Sequence, residues 1–225
     1  LDHLKPEVVA VAFAKCSRSP ESFKDIADEL TDEKSADFHE KWVVGYGHSS
    51  VAEHATLHLA IENVSILATK VLEDNRLASY TEKSTRYQIF DRDKYYKPEN
   101  IMASKFAVDY ETTMNYIFDT YTRLNEPLRE FIVKKYPCPE DQNEKIYNVI
   151  TKARVCDNSR YLLPTATLTN LGMTANAREF EHAIVKLLSH PLQEMQAIGA
   201  RLKEESLKIT PTLIKFANAN EYLQK

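Results

Sequence analysis

Three polar residues at alternate positions, Glu82, Ser84 and Arg86, form the pattern in this sequence best suited to holding a charged small molecule. If residues 82–86 are extended, alternate side chains point the same way, so all three would lie on one face. The guanidinium and the hydroxyl could then hold a phosphate, while the carboxylate accepts a hydrogen bond from a sugar or a base. The solvated polar face of an edge strand would show the same spacing, so spacing alone leaves both interpretations open.

A second cluster comprises Asn176, Arg178 and His182, in a stretch that the sequence predicts to be helical. Arg178 and His182 would lie one turn apart, with Asn176 near the start of the helix. The first turn of a helix favours an anion or a polar ring. Arg160, which precedes an apolar turn ending at Pro164, is a further basic candidate. Ordinary exposed polar residues and a surface salt bridge are the competing explanations.

The segment from Gly45 to His54 combines glycines, histidines, serines and an acid, which is typical of a loop close to a ligand. On a helix His54 and His58 would face together, but no third ligand follows at a suitable interval, so we predict no metal site. Cys138 lies between two prolines in a predicted loop. Because no helix start or histidine beside it in sequence would activate a thiolate, we expect an unreactive loop cysteine.

The composition argues against several classes of function. The chain has 225 residues and a formal net charge of −4, which gives no general attraction to nucleic acid. No run of about 18 apolar residues predicts a membrane span. Three widely separated cysteines match neither a disulfide framework nor a zinc site, so we expect a reducing, cytoplasmic setting. The length suits one domain or at most two small ones, and we predict a single domain over residues 1–225.

Most of the elements that would position these clusters read as helices. The predicted helices open at Ser19, with Pro20 in the first turn, and at Thr31, running through Phe38 and Trp42 to stop near Gly45; others cover residues 65–78, 107–136, a segment through 146–150, residues 174–188, and a last stretch ending at Ile209. Alternation over residues 55–61 predicts a half-buried strand, with a helix as the alternative, and the Tyr- and Thr-rich residues 79–90 predict a second strand or extended segment. We therefore expect an α/β (α+β) fold with helices packed on a small, mainly antiparallel sheet.

The order and identity of the clusters resemble one family, the flavin-dependent thymidylate synthases (ThyX-type). That family carries a Gly-His segment with a later Glu-His, as in Gly47-His48 and Glu53-His54. Its signature is Arg-His-Arg, two residues, Ser, and then Ser-x-Arg-Tyr, which corresponds here to residues 74–87. Several motifs in the correct order make coincidence an unsatisfactory explanation.

The resemblance continues downstream and covers residues 10–205, nearly the whole chain. Arg160-Tyr-Leu-Leu-Pro164 matches the family's Arg-x-x-Leu-Pro element. Asn176-Ala-Arg178 matches the Asn-Ala-Arg that opens a helix in the family. The resemblance therefore implies a flavin-dependent thymidylate synthase fold, assembled in the family as a homotetramer whose sites combine residues from several subunits.

The implied activity is that of a methyltransferase without an enzyme nucleophile, which makes dTMP from dUMP. Methylenetetrahydrofolate would donate the carbon, and FAD, reduced by NADPH, would carry the hydride. Four residues would hold dUMP, with Ser84 and Arg86 the catalytic pair among them: Glu82, Ser84, Arg86 and Arg160. The residues that would face FAD are Ser17, His48, Ser50, Asn75, Arg76, Thr81, Asn176, Arg178 and His182.

Some family positions carry different residues here. Asp74 and Asn75 stand where the family has Arg and His, with Glu73 before them, and acids at this place would repel a phosphate. A dUMP-binding arginine falls at Leu187, with Lys186 beside it as the nearest cation. Two hypotheses follow: an enzyme acting on dUMP or another pyrimidine nucleotide, and a non-catalytic relative that binds such a nucleotide or forms the structural half of a larger protein.

Overall fold

The computed structural model describes residues 4–17, 19–30, 32–39, 41 and 49–224. Their helices and strands are, in chain order, α1 (Pro6–Cys16), α2 (Phe23–Glu29), α3 (Asp32–His39), a 3₁₀ helix (Ser49–His54), β1 (Thr56–Ser65), α4 (Ile66–Glu73), β2 (Ala78–Glu82), α5 (Glu99–Met102), α6 (Ala107–Lys135), α7 (Glu144–Ser159), a 3₁₀ turn (Arg160–Leu162), β3 (Leu168–Asn176), α8 (Ala177–Leu188) and α9 (Gln193–Ile209). The strands form an antiparallel sheet in the order β1-β3-β2, so the predicted fold class is confirmed. Within these ranges no helix is long and apolar enough to cross a membrane.

The central strand β3 was not predicted, and the helix expected from residue 174 is wrong in its first three residues. These residues continue β3, and α8 begins only at Ala177. Leu171, Met173 and Ala175 are buried on one side of the strand, as period-two alternation requires. Asn170 and Gly172, which are poor strand formers, interrupt the apolar run and obscure that alternation in the sequence.

The alternation predicted for β1 is confirmed, and the strand extends beyond residue 61. Leu57 and Ile61 are buried, whereas the residues between them face outward or are half-buried. The strand passes through Asn63, whose φ of 56° lies in the left-handed region that asparagine tolerates. The Asn63 amide donates to the side-chain oxygen of Asn170 at 3.0 Å, which holds the two strands together at that position.

The start predicted for α2 is wrong, because Ser22 rather than Ser19 caps the helix. The Ser22 hydroxyl accepts from the Asp25 amide at 3.2 Å and donates to the Asp25 carboxylate at 2.6 Å. Pro20 precedes the helix, and the Ser19 hydroxyl donates to Glu21 instead. Both serines have an acid downstream, but only Ser22 pairs with an acid three residues on, which is the spacing of a reciprocal cap.

The long helices agree with the prediction. α6 and α9 end within one residue of the predicted positions, and α4 lies inside the predicted range of residues 65–78. α3 includes Phe38 as expected and ends at His39. Thr31, Trp42 and Gly45, on which the rest of that prediction depends, lie outside the described residues.

The chain divides into two compact units. The first unit comprises Leu1–Ala60, Lys70–Thr81 and Gly172–Lys225, and the second comprises Ile61–Thr69 and Glu82–Leu171. A single domain over residues 1–225 stays a prediction.

In the first unit, α8 packs closely on α9. Phe180, Ile184 and Leu187 are buried on one side of α8. A Cβ atom added at Gly199 of α9 would lie 2.9 Å from the Leu187 Cβ, so the helices approach as closely as they do because residue 199 is glycine. The Glu7 carboxylate, far away in sequence, accepts from the amide and the hydroxyl of Thr212, each at 2.8 Å.

The second unit is built on the long helix α6. Phe118 and Tyr121 of this helix are completely buried, and Phe90 and Tyr95 pack in the same core. The Tyr121 hydroxyl accepts from the Phe90 amide at 3.3 Å. These contacts hold the segment that follows β2 against α6, and that segment carries Ser84 and Arg86.

Candidate functional site

Arg86 and Arg160 meet at one carboxylate in the second unit. Arg86 Nε lies 3.2 Å from Asp157 Oδ1, and Arg160 Nη2 lies 3.0 Å from the same oxygen. Asp157 is in the last turn of α7, and Arg160 follows that helix directly. The arginine side chains remain 54% and 34% exposed. Two guanidinium groups with one shared counter-ion form a locally cationic, solvent-accessible cluster, which is suited to an anionic ligand.

The extended conformation predicted for residues 82–86 is wrong, because β2 ends at Glu82 and a turn follows. The Ser84 hydroxyl accepts from the Arg86 amide at 3.2 Å. The Ser84 carbonyl accepts from the amides of Tyr87 and Gln88 at 3.4 Å and 3.2 Å. A serine that bonds its own backbone two residues on favours a turn over a strand. This turn, rather than strand alternation, brings Arg86 to Asp157.

Glu82 is held separately, at the end of β2. Its Oε1 accepts from the Thr69 hydroxyl at 3.1 Å, and the side chain is half-buried. Thr69 lies in α4 and also belongs to the second unit. The structure therefore places Glu82, Ser84, Arg86 and Arg160 in one unit but on three different segments: a strand end, a turn and the end of a helix.

Arg178 and His182 lie one turn apart on α8 in the first unit, with Asn176 at the start of the helix, as their spacing predicts. Asn176 caps the helix, since its side-chain oxygen accepts from the Glu179 amide at 2.9 Å. Arg178 forms an ion pair with Glu53, which lies in the 3₁₀ helix before β1. His182 is exposed one turn further along. The helix thus turns its basic residues to solvent and its apolar residues to the core.

Asn75 is buried, with 3% of its surface exposed. Its Nδ2 donates to the Leu72 carbonyl at 2.7 Å, while its Oδ1 is buried without a hydrogen-bond partner among the described residues. The Tyr80 hydroxyl donates to the carbonyls of Leu72 and Asn75 at 2.8 Å and 3.0 Å. Burial raises the pKa of Tyr80 to about 12. The backbone of this segment is therefore tied down locally, and the Asn75 oxygen is left for another partner.

The other described candidates for the flavin are exposed. Arg76 and Thr81, on either side of the half-buried Tyr80, are exposed, as is Ser50 in the 3₁₀ helix. Ser17 is exposed and its hydroxyl donates to the Ala14 carbonyl at 2.9 Å. His48 lies outside the described residues.

Each of the two acids expected to repel a phosphate is paired with a lysine: Glu73 with Lys70, and Asp74 with Lys186. The Lys186 Nζ donates to Asp74 Oδ2 at 2.6 Å, and this hydrogen bond holds the pKa of the Asp74 carboxyl below its usual value. Leu187 is 1% exposed and packs in the core, so its position offers no route to solvent for a cation. Lys186, beside it, is the residue of this pair that faces outward.

The histidine pair does not form the arrangement considered from the sequence. His58 lies in β1 rather than on a helix with His54, and its Nδ1 is 2.9 Å from the Thr174 hydroxyl. The His54 ring stacks on Phe13 with centroids 5.0 Å apart. Among the described residues no three His, Cys, Asp or Glu side chains form a group that could hold a metal ion.

The sequence did not indicate the role of Asp157 or the pairing of Asp74 with Lys186, for different reasons. Asp157 is three residues before Arg160 at a helix end, a spacing that could have suggested the ion pair. Asp74 and Lys186 are 112 residues apart, and no local pattern connects them.

The four predicted dUMP residues all belong to the second unit, and the eight described FAD candidates all belong to the first. A three-stranded antiparallel sheet and the helices that accompany it define an α+β protein. The model for thymidylate synthase complementing protein matches residues 1–212. The chain belongs to this family, the flavin-dependent thymidylate synthases of the ThyX type.

The most similar relatives differ in length. The chain is 38% identical over 238 aligned residues to a UPF0159 protein of Chlamydia pneumoniae, covering 94% of the chain and 45% of that relative. It is 30% identical over 217 residues to the flavin-dependent thymidylate synthase of Sulfolobus acidocaldarius, covering 95% of the chain and 72% of that protein. The chain spans less than half the length of the UPF0159 relatives that it matches.

Two solved structures show the same fold. One is the UMP/dUMP methylase PolB of Streptomyces cacaoi, bound with 5-Br dUMP; its TM-score is 0.61 at 16% identity, over 93% of this chain and 88% of that one. The other is ThyX of Helicobacter pylori complexed with FAD and dUMP, with a TM-score of 0.55 at 19% identity and 96% of each chain covered. At these identities the similarity establishes the fold alone.

Proposed function

We propose that this chain binds dUMP and takes part in its flavin-dependent methylation to dTMP, with methylenetetrahydrofolate and NADPH as co-substrates. The observation that carries the proposal is the meeting of Arg86 and Arg160 at Asp157. The family membership supports the reaction class. The two solved structures of the same fold, one bound with 5-Br dUMP and the other complexed with FAD and dUMP, support a pyrimidine nucleotide as the ligand.

Arg86 and Arg160 supply what a nucleotide phosphate requires. A guanidinium forms paired, charge-assisted hydrogen bonds to phosphate oxygens, and both side chains are accessible from solvent. Asp157 holds the two cations near each other, so an arriving phosphate meets two partly oriented donors. In the contacts of the described residues the Ser84 hydroxyl acts only as an acceptor, so its proton is available for a ligand oxygen. The Glu82 carboxylate would accept from the sugar or the base.

The first unit fits a flavin nucleotide by the chemistry of its donors. Arg178 and His182 present cationic or hydrogen-bonding groups to the phosphates, and the buried, unpartnered Asn75 oxygen can accept from a ring N–H. We propose that FAD is held by Ser17, His48, Ser50, Asn75, Arg76, Thr81, Asn176, Arg178 and His182. When bound, FAD would supply the hydride transfer that this reaction needs and that no side chain can provide.

The assembly and location also remain proposals. We propose a homotetramer in which sites combine residues of several subunits, in a cytoplasmic setting. Gel filtration with light scattering of the purified chain, with and without dUMP, would test whether it is a homotetramer.

The test of the nucleotide site is Arg86→Ala, with Arg92→Ala as the matched control. Arg92 forms a similar ion pair, with its Nε 3.0 Å from Asp119 Oδ1, and its side chain is 51% exposed. Calorimetry should show dUMP binding weakened about 10- to 100-fold by Arg86→Ala, the effect of losing one charged hydrogen-bonding partner. Arg92→Ala should bind dUMP as the wild type does. Unchanged binding in Arg86→Ala would refute the assignment.

A second candidate function is a non-catalytic or repurposed relative that binds a pyrimidine nucleotide, or the structural half of a larger protein. Two observations favour it: the Asp74–Lys186 pair neutralises charges at family positions, and the chain spans less than half of its UPF0159 relatives. An assay with FAD, NADPH and methylenetetrahydrofolate separates the two candidates. Tight dUMP binding without dTMP formation would support the second.

A further inference from the structure

The aromatic ring of Tyr161 lies beside Arg160, one of the two arginines that meet at Asp157. Arg160 Cζ is over this ring, 5.6 Å from its centroid, which is within the range of a cation–π contact. Residues 160–164 match the family element Arg-x-x-Leu-Pro, in which the position of Tyr161 is open. The resemblance therefore gives no reason for an aromatic ring at this position.

Tyr161 contributes little to the packing of the second unit, since 82% of its surface is exposed. Within the described ranges, its side chain makes no hydrogen bond or ring contact other than the one with Arg160. The backbone around it is held independently, because the Leu163 amide donates to the Arg160 carbonyl at 3.0 Å and closes the 3₁₀ turn. We therefore expect that removing the ring leaves the fold and this turn intact.

The two contacts of Arg160 use different parts of its guanidinium group. Asp157 Oδ1 lies 3.0 Å from Nη2, at the edge of the group, where the N–H donors are. An aromatic ring interacts with the positive charge and occupies none of these donors. Tyr161 can thus restrict the motion of Arg160 while leaving its other N–H groups available to a ligand. An arginine that is already oriented loses less conformational entropy when it binds a phosphate.

We propose that Tyr161 is a positioning residue, whose ring holds the Arg160 guanidinium in the orientation that receives the phosphate of dUMP. This inference rests on the proposed function and adds a residue that acts through Arg160 rather than on the nucleotide itself. The role requires the face of an aromatic ring and does not require the phenol hydroxyl.

A series of substitutions at residue 161 separates the ring from the hydroxyl. Tyr161→Leu should weaken dUMP binding about two- to fivefold, the fold-change that corresponds to an exposed cation–π contact. Tyr161→Phe keeps the ring and should bind dUMP as the wild type does. Tyr161→Trp should bind at least as tightly, because tryptophan forms the strongest contacts of this kind. Equal losses in Tyr161→Phe and Tyr161→Leu would refute the role of the ring.

The experiment is a calorimetric titration of the full chain with dUMP. Phe106→Leu is the matched control, because Phe106 lies in the same unit and also follows a cation in sequence. Lys105 Nζ is 5.1 Å from the centroid of its ring, which belongs to a residue that is 57% exposed. Phe106→Leu should bind dUMP as the wild type does. Urea unfolding establishes that each variant is folded.

The same substitution in an Arg160→Ala background tests whether Tyr161 acts through Arg160. Tyr161→Leu should then have no further effect on dUMP binding, because the group that the ring positions is gone. A loss of the same size in that background would mean that the ring contacts the nucleotide directly, and the positioning role would be refuted.

The single variants distinguish this inference from the proposed function. If Arg160→Ala weakens dUMP binding but Tyr161→Leu does not, the nucleotide site stands and the role of Tyr161 is refuted. If Arg160→Ala binds dUMP as the wild type does, the proposed nucleotide site fails, and this inference fails with it.

Discussion

Arg86 and Arg160, which lie on separate segments of the second unit, share a single carboxylate oxygen of Asp157. Two like charges would repel each other at such a position without the shared anion. The arrangement makes each arginine dependent on the other, because Asp157 divides its interaction between them. Removing one arginine would leave Asp157 paired with the remaining one alone.

This dependence predicts non-additive effects on dUMP binding. Arg86→Ala and Arg160→Ala should each reduce the free energy of dUMP binding by more than the contribution of the arginine that is removed. The reason is that Asp157 then holds the remaining arginine more tightly. The double variant should therefore lose less binding free energy than the two single variants lose together. We expect the difference to be about 0.5–3 kcal/mol, as for other residues that share a partner. Calorimetric titrations of the two single variants and the double variant measure this coupling.

Asp157→Asn provides the control for that coupling. Without the shared carboxylate, the losses of binding free energy caused by the two arginine substitutions should be additive to within about 0.5 kcal/mol. Coupling of the same size in the Asp157→Asn background would mean that the arginines interact by some route other than Asp157.

The cap of α2 gives a stability prediction that separates two serines. Ser22→Ala removes a reciprocal cap and should lower the free energy of unfolding by about 1 kcal/mol. Ser19→Ala removes only an exposed contact to Glu21 and should change it by less than about 0.5 kcal/mol. Urea unfolding of both variants distinguishes the structure from the sequence-based expectation, which placed the cap at Ser19.

Local rules explain which parts of the fold could be predicted. The 29 residues of α6 repeat their apolar positions often enough to fix its range almost to the residue. Ser19 and Ser22 both precede acids, but only Ser22 has an acid three residues on, so the spacing of a reciprocal cap would have favoured Ser22 over the Ser-Pro pair that the prediction used. β3 was missed because Asn170 and Gly172 weaken its strand signal, while Ala177 onward gives a strong helical one.

The same limits apply to the candidate site. Residue types and their spacing identified Arg86 and Ser84, but the inferred geometry was wrong because the Ser84 side chain closes a turn instead of continuing a strand. The Asp74–Lys186 pair depends on the folded chain bringing distant segments together. Repulsion at Asp74 was therefore expected from the sequence, whereas the structure shows a neutral pair.

Gly199 supports the packing of α8 on α9 through its lack of a side chain. Gly199→Ala would place a methyl group 2.9 Å from the Leu187 Cβ and 3.1 Å from the Leu188 amide nitrogen. Both neighbours belong to the packed helix α8, so we expect overpacking to lower the free energy of unfolding by about 1–3 kcal/mol.

Gly172→Ala is the control for this effect, since its added carbon would meet only the Thr81 carbonyl oxygen, at 3.9 Å. That is an ordinary contact distance, so stability should change by less than about 0.5 kcal/mol. Equal losses in the two variants, measured by urea unfolding, would contradict the close approach of the helices at Gly199.

The raised pKa of Tyr80 predicts that the protein loses stability at high pH. Burial is the main reason that its pKa is raised from 10.0 to about 12, and the nearby carboxylates of Glu179, Glu73 and Asp74 act in the same direction. Ionisation is therefore easier in the unfolded chain than in the folded one. The contribution of Tyr80 is fully present below about pH 10 and is lost as the pH rises towards about 12.

Tyr80→Phe removes this titration, so the difference in unfolding free energy between the wild type and Tyr80→Phe should shrink between about pH 10 and about pH 12. Tyr116→Phe, at a tyrosine that is 67% exposed, serves as the control and should follow the wild type over the same range. Urea midpoints of the three proteins, measured across this pH interval, show whether the difference shrinks. A difference that stays constant would show that the Tyr80 phenol ionises as readily in the folded protein as in the unfolded chain, and that the hydroxyl's contacts with the Leu72 and Asn75 carbonyls do not depend on its proton.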